Sequence, residues 1–251
     1  MYREVKGVSY MITSIKNETI KKILKLKKKK YRDESGLFLV EGEHLVAEAL
    51  NKGMVKMVIT CKDEKYDVEV LKVSEDVMKK LAFTMNPQPI MAICYMKIDM
   101  EVNYHKKRYI LLDHLQDPGN MGTILRTSLA LGYHDILISK DSVDLYNDKV
   151  IRATQGALFS LNISIVDLAD EIKKMQERGI KVYGTALEDA LSIEEVESEA
   201  KMAFILGNEG NGMSNEILDM VDERLYIPID SIESLNVAIA GSIIMYKFRC
   251  E

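Results

Sequence analysis

From Ile110 to Gly132 the chain reads ILLDHLQDPGNMGTILRTSLALG, and this stretch narrows the possible folds more than any other. Ile110, Leu111 and Leu112 form an apolar run short enough for a buried strand. Asp117-Pro118-Gly119-Asn120 then gathers turn formers and N-cap residues. Met121, Ile124, Leu125, Ser128 and Leu129 recur at helical spacing, and Gly132 supplies a C-cap. Strand, turn and helix in that order present polar groups at the carboxyl edge of a parallel sheet. Arg126 lies two turns into the helix, next to its packing face. A guanidinium is costly to bury without an anion, so it is expected either to meet an anionic ligand or to pair with a surface carboxylate.

The same alternation runs through the rest of the chain. A helix is expected over 15–31, with Ile20, Ile23, Leu24 and Lys27 on one face. Strands follow at 37–40, 55–60, 68–73 and 90–96, with helices beginning at Gly42 and Ser74. These make a small α/β domain over residues 11–100. Residues 100–107 are polar and turn-like and read as a linker. Strands at 136–138, 163–166, 180–186, 203–206 and 225–227 then alternate with helices at 147–155, 168–178, 217–221 and 235–248. The acidic segment 188–199 is expected to be exposed. Repeated βα units mean a mostly parallel sheet with helices on both faces, over residues 107–251. The first ten residues lack periodicity, and Met11 offers a second possible start.

Charge divides the chain at the same place. Residues 1–110 hold 22 Lys and Arg against 15 Asp and Glu, whereas residues 111–251 hold 12 against 24. Residues 1–32 alone carry 11 basic and 2 acidic side chains. A basic part beside an acidic part is expected to meet a large anion, of which nucleic acid is the commonest. Lys28, Lys29 and Arg32, around Tyr31, are the candidate RNA contacts, although a solvated helix C-terminus favours cations equally well. No apolar run reaches the ~18 residues of a membrane span and no signal-peptide pattern opens the chain, so no membrane partner is expected and a cytoplasmic location is. Cys61, Cys94 and Cys250 are scattered, as are His44, His105, His114 and His134, which fits neither a disulfide framework nor a metal site.

Three strand-to-helix junctions are rich in polar or small residues: 117–126, 207–214 and 228–236. Gly207, Gly210 and Gly212 permit close backbone approach. They match neither a P-loop nor the dinucleotide fingerprint, which argues against ATP and NAD. Asn236 opens an otherwise apolar helix after Ser234, an N-cap candidate. Its amide needs partners, as a structural tie to a neighbouring loop or as a site residue.

Taken together, Asn120-x-Gly122-x-x-x-Arg126, Gly207-Asn208-Glu209-Gly210, and Ile227-Pro228 followed by Ser234-Leu235-Asn236-Val237 resemble the three motifs of the SpoU (TrmH-like) family of RNA 2′-O-ribose methyltransferases, in the SPOUT superfamily. Residues 139–144, 149–153 and 184–187 extend the likeness across the second domain. Residues 12–14 and 36–42 resemble the small N-terminal substrate-binding domain of many members, an α/β domain that is ribosomal protein L30e-like.

The resemblance implies a parallel-sheet methyltransferase domain with a C-terminal trefoil knot, an exception to the general avoidance of knots. It implies S-adenosyl-L-methionine as cofactor, RNA as substrate and a homodimer whose interface completes the site. Gly207, Ile227 and Leu235 would hold the cofactor through backbone groups, and Thr185, Ala186 and Leu187 would line its adenosine side. Leu206, Asn208, Gly210, Pro228 and Ser234 would complete that pocket. Asn120, Arg126, Glu209, Ser234 and Asn236 would surround the transferring methyl group and the ribose. Lys149 and Arg152 would meet RNA. Family members often carry Gly between the motif 3 Pro and Ser, where this chain has Asp230-Ser231-Ile232-Glu233. Ribosomal RNA is the expected substrate, because the separate basic domain suits a large structured RNA. Transfer RNA methylation by the same chemistry, and a non-catalytic RNA-binding or ribosome-assembly protein on the same fold, are the alternatives.

Overall fold

The computed structural model describes residues 11–97, 101–232 and 234–250. Residues 1–10, ahead of the possible second start at Met11, lie outside them, as does Glu233 of the motif 3 departure. The chain divides into two compact units, one ending at Met96 and the other beginning at Lys97.

The first unit runs α1 (Glu18–Lys25), α2 (Lys29–Ser35), β1 (Leu37–Glu41), α3 (Glu43–Asn51), β2 (Val55–Thr60), β3 (Glu69–Lys72), α4 (Glu75–Leu81) and β4 (Ile90–Tyr95). Its sheet has the order β1-β4-β2-β3, with β4 antiparallel to both neighbours and β2 parallel to β3. Ile20, Ile23, Leu39, Ile59, Val77 and Met91 are among the residues that close one core between sheet and helices.

The expected single helix over 15–31 is two. Asn17 caps α1 by accepting from Thr19 N, α1 ends at Leu26, and Lys28 turns extended before α2. Arg32 secures the break: its guanidinium is buried and donates to the Leu26 carbonyl at 3.0 Å. A carbonyl left over at a helix end is thereby satisfied. Lys27 leaves the apolar face assigned to it and donates to the Ala82 carbonyl at 2.6 Å.

The second unit runs β5 (Arg108–Leu112), α5 (Pro118–Ala130), β6 (Asp135–Ser139), α6 (Asp148–Thr154), β7 (Asn162–Val166), α7 (Leu168–Gln176), β8 (Lys181–Thr185), β9 (Leu191–Ser192), β10 (Met202–Leu206), α8 (Asn215–Leu218), β11 (Glu223–Tyr226) and α9 (Val237–Lys247). The seven strands stand in the order β7-β6-β5-β10-β8-β11-β9, and every pair is parallel. Alternation along the strands fills both faces. Tyr109, Leu111, Ala203 and Ile205 join Leu168, Ile172 and Met175 of α7 on one side. On the other, Phe204 stacks on Phe248 at 5.0 Å and on Tyr183 at 5.6 Å.

Two further expectations change. Residues 101–107 are not a free linker, because the Asn103 carbonyl accepts from Tyr109 Oη at 2.7 Å and Tyr104 bonds Glu171; Met100 of that segment lies outside the described residues. The acidic segment 188–199 is only partly exposed. Ile193 and Val196 are buried, and Glu199 pairs with Lys181 at 3.0 Å.

Candidate active site

Strand order brings the carboxyl ends of β5, β10, β8 and β11 side by side, so the loops that follow them are neighbours. β10 ends at Leu206, and Gly207 passes beneath the next turn so closely that a Cβ there would lie 2.3 Å from Met213 N and 2.4 Å from Gly212 C. Only glycine fits this crossing. Asn208 and Gly212 pair through their backbones, and the Asn208 side chain accepts from Gly210 N at 2.9 Å and Asn211 N at 3.1 Å. Its Nδ2 donates to the His114 carbonyl at 2.8 Å, which fixes this turn against the loop after β5.

Glu209, on the same turn, reaches the start of α5. Its carboxylate accepts from Asp117 N at 2.9 Å, Asn120 Nδ2 at 3.1 Å and Gln116 N at 3.2 Å. Partial desolvation pushes the Glu209 pKa up, but the donors from Asp117, Asn120, its own backbone and Gln116 together outweigh this and hold it below the ordinary carboxylate range. Asp117 caps α5 by accepting from Asn120 N at 2.8 Å. Asn120 is thereby held at both backbone and side chain.

The third loop joins through Asn236. Its Oδ1 caps α9, accepting from Ala238 N at 2.9 Å and Ile239 N at 3.4 Å, while its Nδ2 donates to Asn120 Oδ1 at 3.0 Å. Asn236, not Ser234, is therefore the N-cap, and α9 begins at Val237 instead of Leu235. The amide is thus a structural tie to the loop that carries Asn120. Ser231 takes a positive φ of 67° in the preceding loop, at a place where glycine would be unstrained.

Arg126 is exposed, and among the described residues its side chain has no hydrogen bond or ion pair. Among the described residues, then, no carboxylate pairs with its guanidinium. α5 itself is fixed from below: a Cβ on Gly122 would lie 2.3 Å from Ala153 Cβ, so α5 and α6 touch there. Ser128 meets Met245 of α9 at 3.3 Å.

Thr185 ends β8 and donates to the Ile205 carbonyl at 3.1 Å, and Ala186 N donates to the Leu225 carbonyl. Leu187 beyond them is 66% exposed, and Ile229 and Ile232, in the loop after β11, are also exposed. Leu206 is buried, Ile227 and Leu235 are half-buried, and Gly210, Pro228 and Ser234 are exposed. The RNA candidates separate. Lys28 and Lys149 are exposed; Lys29 is exposed and pairs with Asp33 at 2.9 Å. Arg152 pairs with Asp148 at 2.7 Å. Arg32 points into the core and is not a surface contact.

Sequence reasoning overlooked Asp113. It is buried, accepts from Ser214 N at 2.9 Å through Oδ2 and meets His114 Nδ1 at 2.6 Å through Oδ1. It locks the turn after β10 to the end of β5. The signal was an acidic residue placed directly after an apolar run, where burial demands partners.

Residues 107–246 match the model of the SpoU rRNA Methylase family, and residues 17–92 that of the MRM3-like substrate binding domain. The chain is 36% identical to the Bacillus subtilis 23S rRNA (guanosine(2553)-2′-O)-methyltransferase RlmP over 95% of this chain and 98% of that protein. A solved rRNA methyltransferase from Sinorhizobium meliloti has a TM-score of 0.86 at 29% identity, covering 96% of this chain and 97% of that one. An AdoMet-bound rRNA methyltransferase from the same organism gives a TM-score of 0.85 at 28% identity, covering 95% and 96%.

Proposed function

The chain belongs to the SpoU rRNA methylase family, and we propose on that premise that it methylates a ribose 2′-hydroxyl of 23S ribosomal RNA with S-adenosyl-L-methionine. The observation that carries this reading is the run of hydrogen bonds Asn236–Asn120–Glu209, which joins all three motif loops, with Arg126 exposed on the helix that carries Asn120 and unpaired among the described residues.

The residues fit the cofactor. Exposed Leu187, Ile229 and Ile232 offer an apolar rim for an adenine ring. The backbones around Gly207, Ile227 and Leu235, together with Thr185, Ala186, Leu206, Asn208, Gly210, Pro228 and Ser234, supply the polar edge. When bound, S-adenosyl-L-methionine supplies an electrophilic methyl group. The protein's task is to align the 2′-oxygen and release its proton, and alignment alone is worth several powers of ten. An arginine does not deprotonate near neutrality, so Arg126 acts as a cation. It binds the adjoining phosphate and the ribose oxygen, stabilising developing alkoxide character while the proton passes to phosphate or water. Asn120, oriented by Glu209 and Asn236, holds the ribose, and Ser234 closes the site. Lys149 and Arg152 guide the RNA backbone.

The same reading takes the first unit as an L30e-like RNA-binding domain and the carboxyl end of the second as a trefoil knot, formed as the chain after β11 passes into α9. It makes the molecule a cytoplasmic homodimer. Supporting the dimer, α9 leaves Ile239, Ile243 and Tyr246 exposed along one helix, an unusual concentration of apolar surface.

The test is transfer of labelled methyl groups to unmodified 23S, 16S and transfer RNA transcripts, with Arg126→Ala as control. A single 2′-O-methyl on 23S RNA, lost in the control, is expected. Label on transfer RNA would overturn the substrate but keep the chemistry. A chain that binds no S-adenosyl-L-methionine would instead be an RNA-binding protein.

A further inference from the structure

We propose that His114 is a positioning residue for methyl transfer, holding the loop between β5 and α5 in the arrangement that aims Asn120 at the ribose, an inference that rests on the function proposed above. His114 follows β5 directly and takes a φ of 53°, in the left-handed region that histidine enters only at a cost. Glycine or asparagine would stand there with less strain. Such a conformation persists only where its surroundings over-determine it.

Here they do. The His114 N–H donates to Ser139 Oγ at 2.9 Å and its carbonyl accepts from Asn208 Nδ2 at 2.8 Å, so the backbone of one residue spans the loops after β6 and β10. The ring lies between two carboxylates. Nδ1 donates to Oδ1 of the buried Asp113 at 2.6 Å, and Nε2 faces Asp141 Oδ2 at 3.6 Å. The next residues close the seam with the loop after β6: Leu115 N donates to Ser142 Oγ at 3.1 Å, Gln116 Nε2 to the Asp141 carbonyl at 2.7 Å, and Val143 N to the Leu115 carbonyl at 2.7 Å.

This seam ends at the site. The N–H groups of Gln116 and Asp117 donate to Glu209, which in turn accepts from Asn120. His114 therefore acts through its loop, by fixing where the first turn of α5 begins and hence where Asn120 points. A shift of about 1 Å in a reacting group can cost about 100-fold in rate. His114 itself is exposed, so water can take the place of its ring without loss of the fold. A ring that served stability alone would leave turnover unchanged when removed.

The experiment compares the full chain with His114→Gly and His114→Asn, measuring kcat and KM for methylation of an unmodified 23S transcript, Kd for S-adenosyl-L-methionine, melting temperature and backbone hydrogen exchange. His114→Gly keeps the left-handed backbone but loses the ring. It is expected to lower kcat roughly tenfold to 100-fold, with KM, cofactor Kd and melting temperature in place and faster exchange at Gln116 and Asp117. His114→Asn tolerates the same backbone and can still donate to Asp113, so it should recover most of the turnover. A kcat for His114→Gly within twofold of the unsubstituted chain would overturn the proposal, as would a loss of turnover that merely tracks a loss of melting temperature. Absence of methyl transfer by the unsubstituted chain would instead overturn the function proposed above. Hydrogen exchange then still decides whether the ring holds the loop, and unchanged exchange at Gln116 and Asp117 in His114→Gly would refute it.

Discussion

Asn236 and Asn120, 116 residues apart in sequence, share a hydrogen bond of 3.0 Å between Nδ2 of the first and Oδ1 of the second. Because Asn236 also caps α9 and Asn120 also donates to Glu209, this one contact couples the last helix, the first turn of α5 and the turn after β10. Asn236→Ala should remove cap and tie together. Loss of the cap costs about 1 kcal/mol, read as a lower midpoint in urea unfolding. Asn236→Asp keeps the cap but cannot donate to Asn120. It should recover stability without recovering cofactor affinity, measured by calorimetry. Equal cofactor affinity in all three proteins would show that the tie is not part of the site.

Glu209 should make the site acid-sensitive. Its folded pKa lies below the reference value of 4.5, so its contribution to stability is complete above that value and is lost as pH falls through the lowered folded value. Glu209→Gln cannot titrate. The melting temperatures of the unsubstituted chain and this variant should differ most near neutrality and converge in acid. A constant gap down to pH 3 would rule this linkage out.

Gly122 and Ala153 set the spacing between α5 and α6. Gly122→Ala would force two Cβ atoms to 2.3 Å and should destabilise by about 1–3 kcal/mol. Adding Ala153→Gly removes the opposing atom, and the double variant should recover much of the loss in denaturant unfolding. No recovery would place the strain elsewhere, against the Val150 carbonyl 3.0 Å away.

Arg126 should be dispensable for folding and indispensable for methyl transfer. With no partner among the described residues, Arg126→Ala is expected within about 0.5 kcal/mol of the unsubstituted stability and about 100-fold or more slower in transfer. Arg126→Lys keeps the charge but not the two-pronged donor geometry and should restore little activity. Near-full turnover by Arg126→Lys would reduce the role to charge alone.

The apolar stripe on α9 should govern assembly. Ile243→Asp is expected to shift the protein from dimer to monomer in analytical ultracentrifugation. A monomeric unsubstituted chain would refute the dimer directly.

Local pattern carried much of this protein. The run 110–112, the cluster 117–120 and the periodic residues 121–129 announced β5, the capped start of α5 and its buried face, because strand, turn and helix are encoded over a few neighbouring residues. The identity of the three polar loops was legible for the same reason. Tertiary structure decided what local pattern does not contain. Arg32 reads as one more cation in a basic run, yet the free carbonyl at Leu26 draws it into the core. Ser234 has the better position for capping an apolar helix, yet Asn236 takes that place and its amide also finds Asn120 across the fold. Gly207 reads as one glycine of several, and only the close crossing of Gly212 and Met213 shows that no side chain fits. Each of these outcomes depends on a partner distant in sequence. The chain itself specified which groups needed partners, through buried charge, unsatisfied helix ends and side-chain amides; packing of the sheet and its loops determined which partners were within reach.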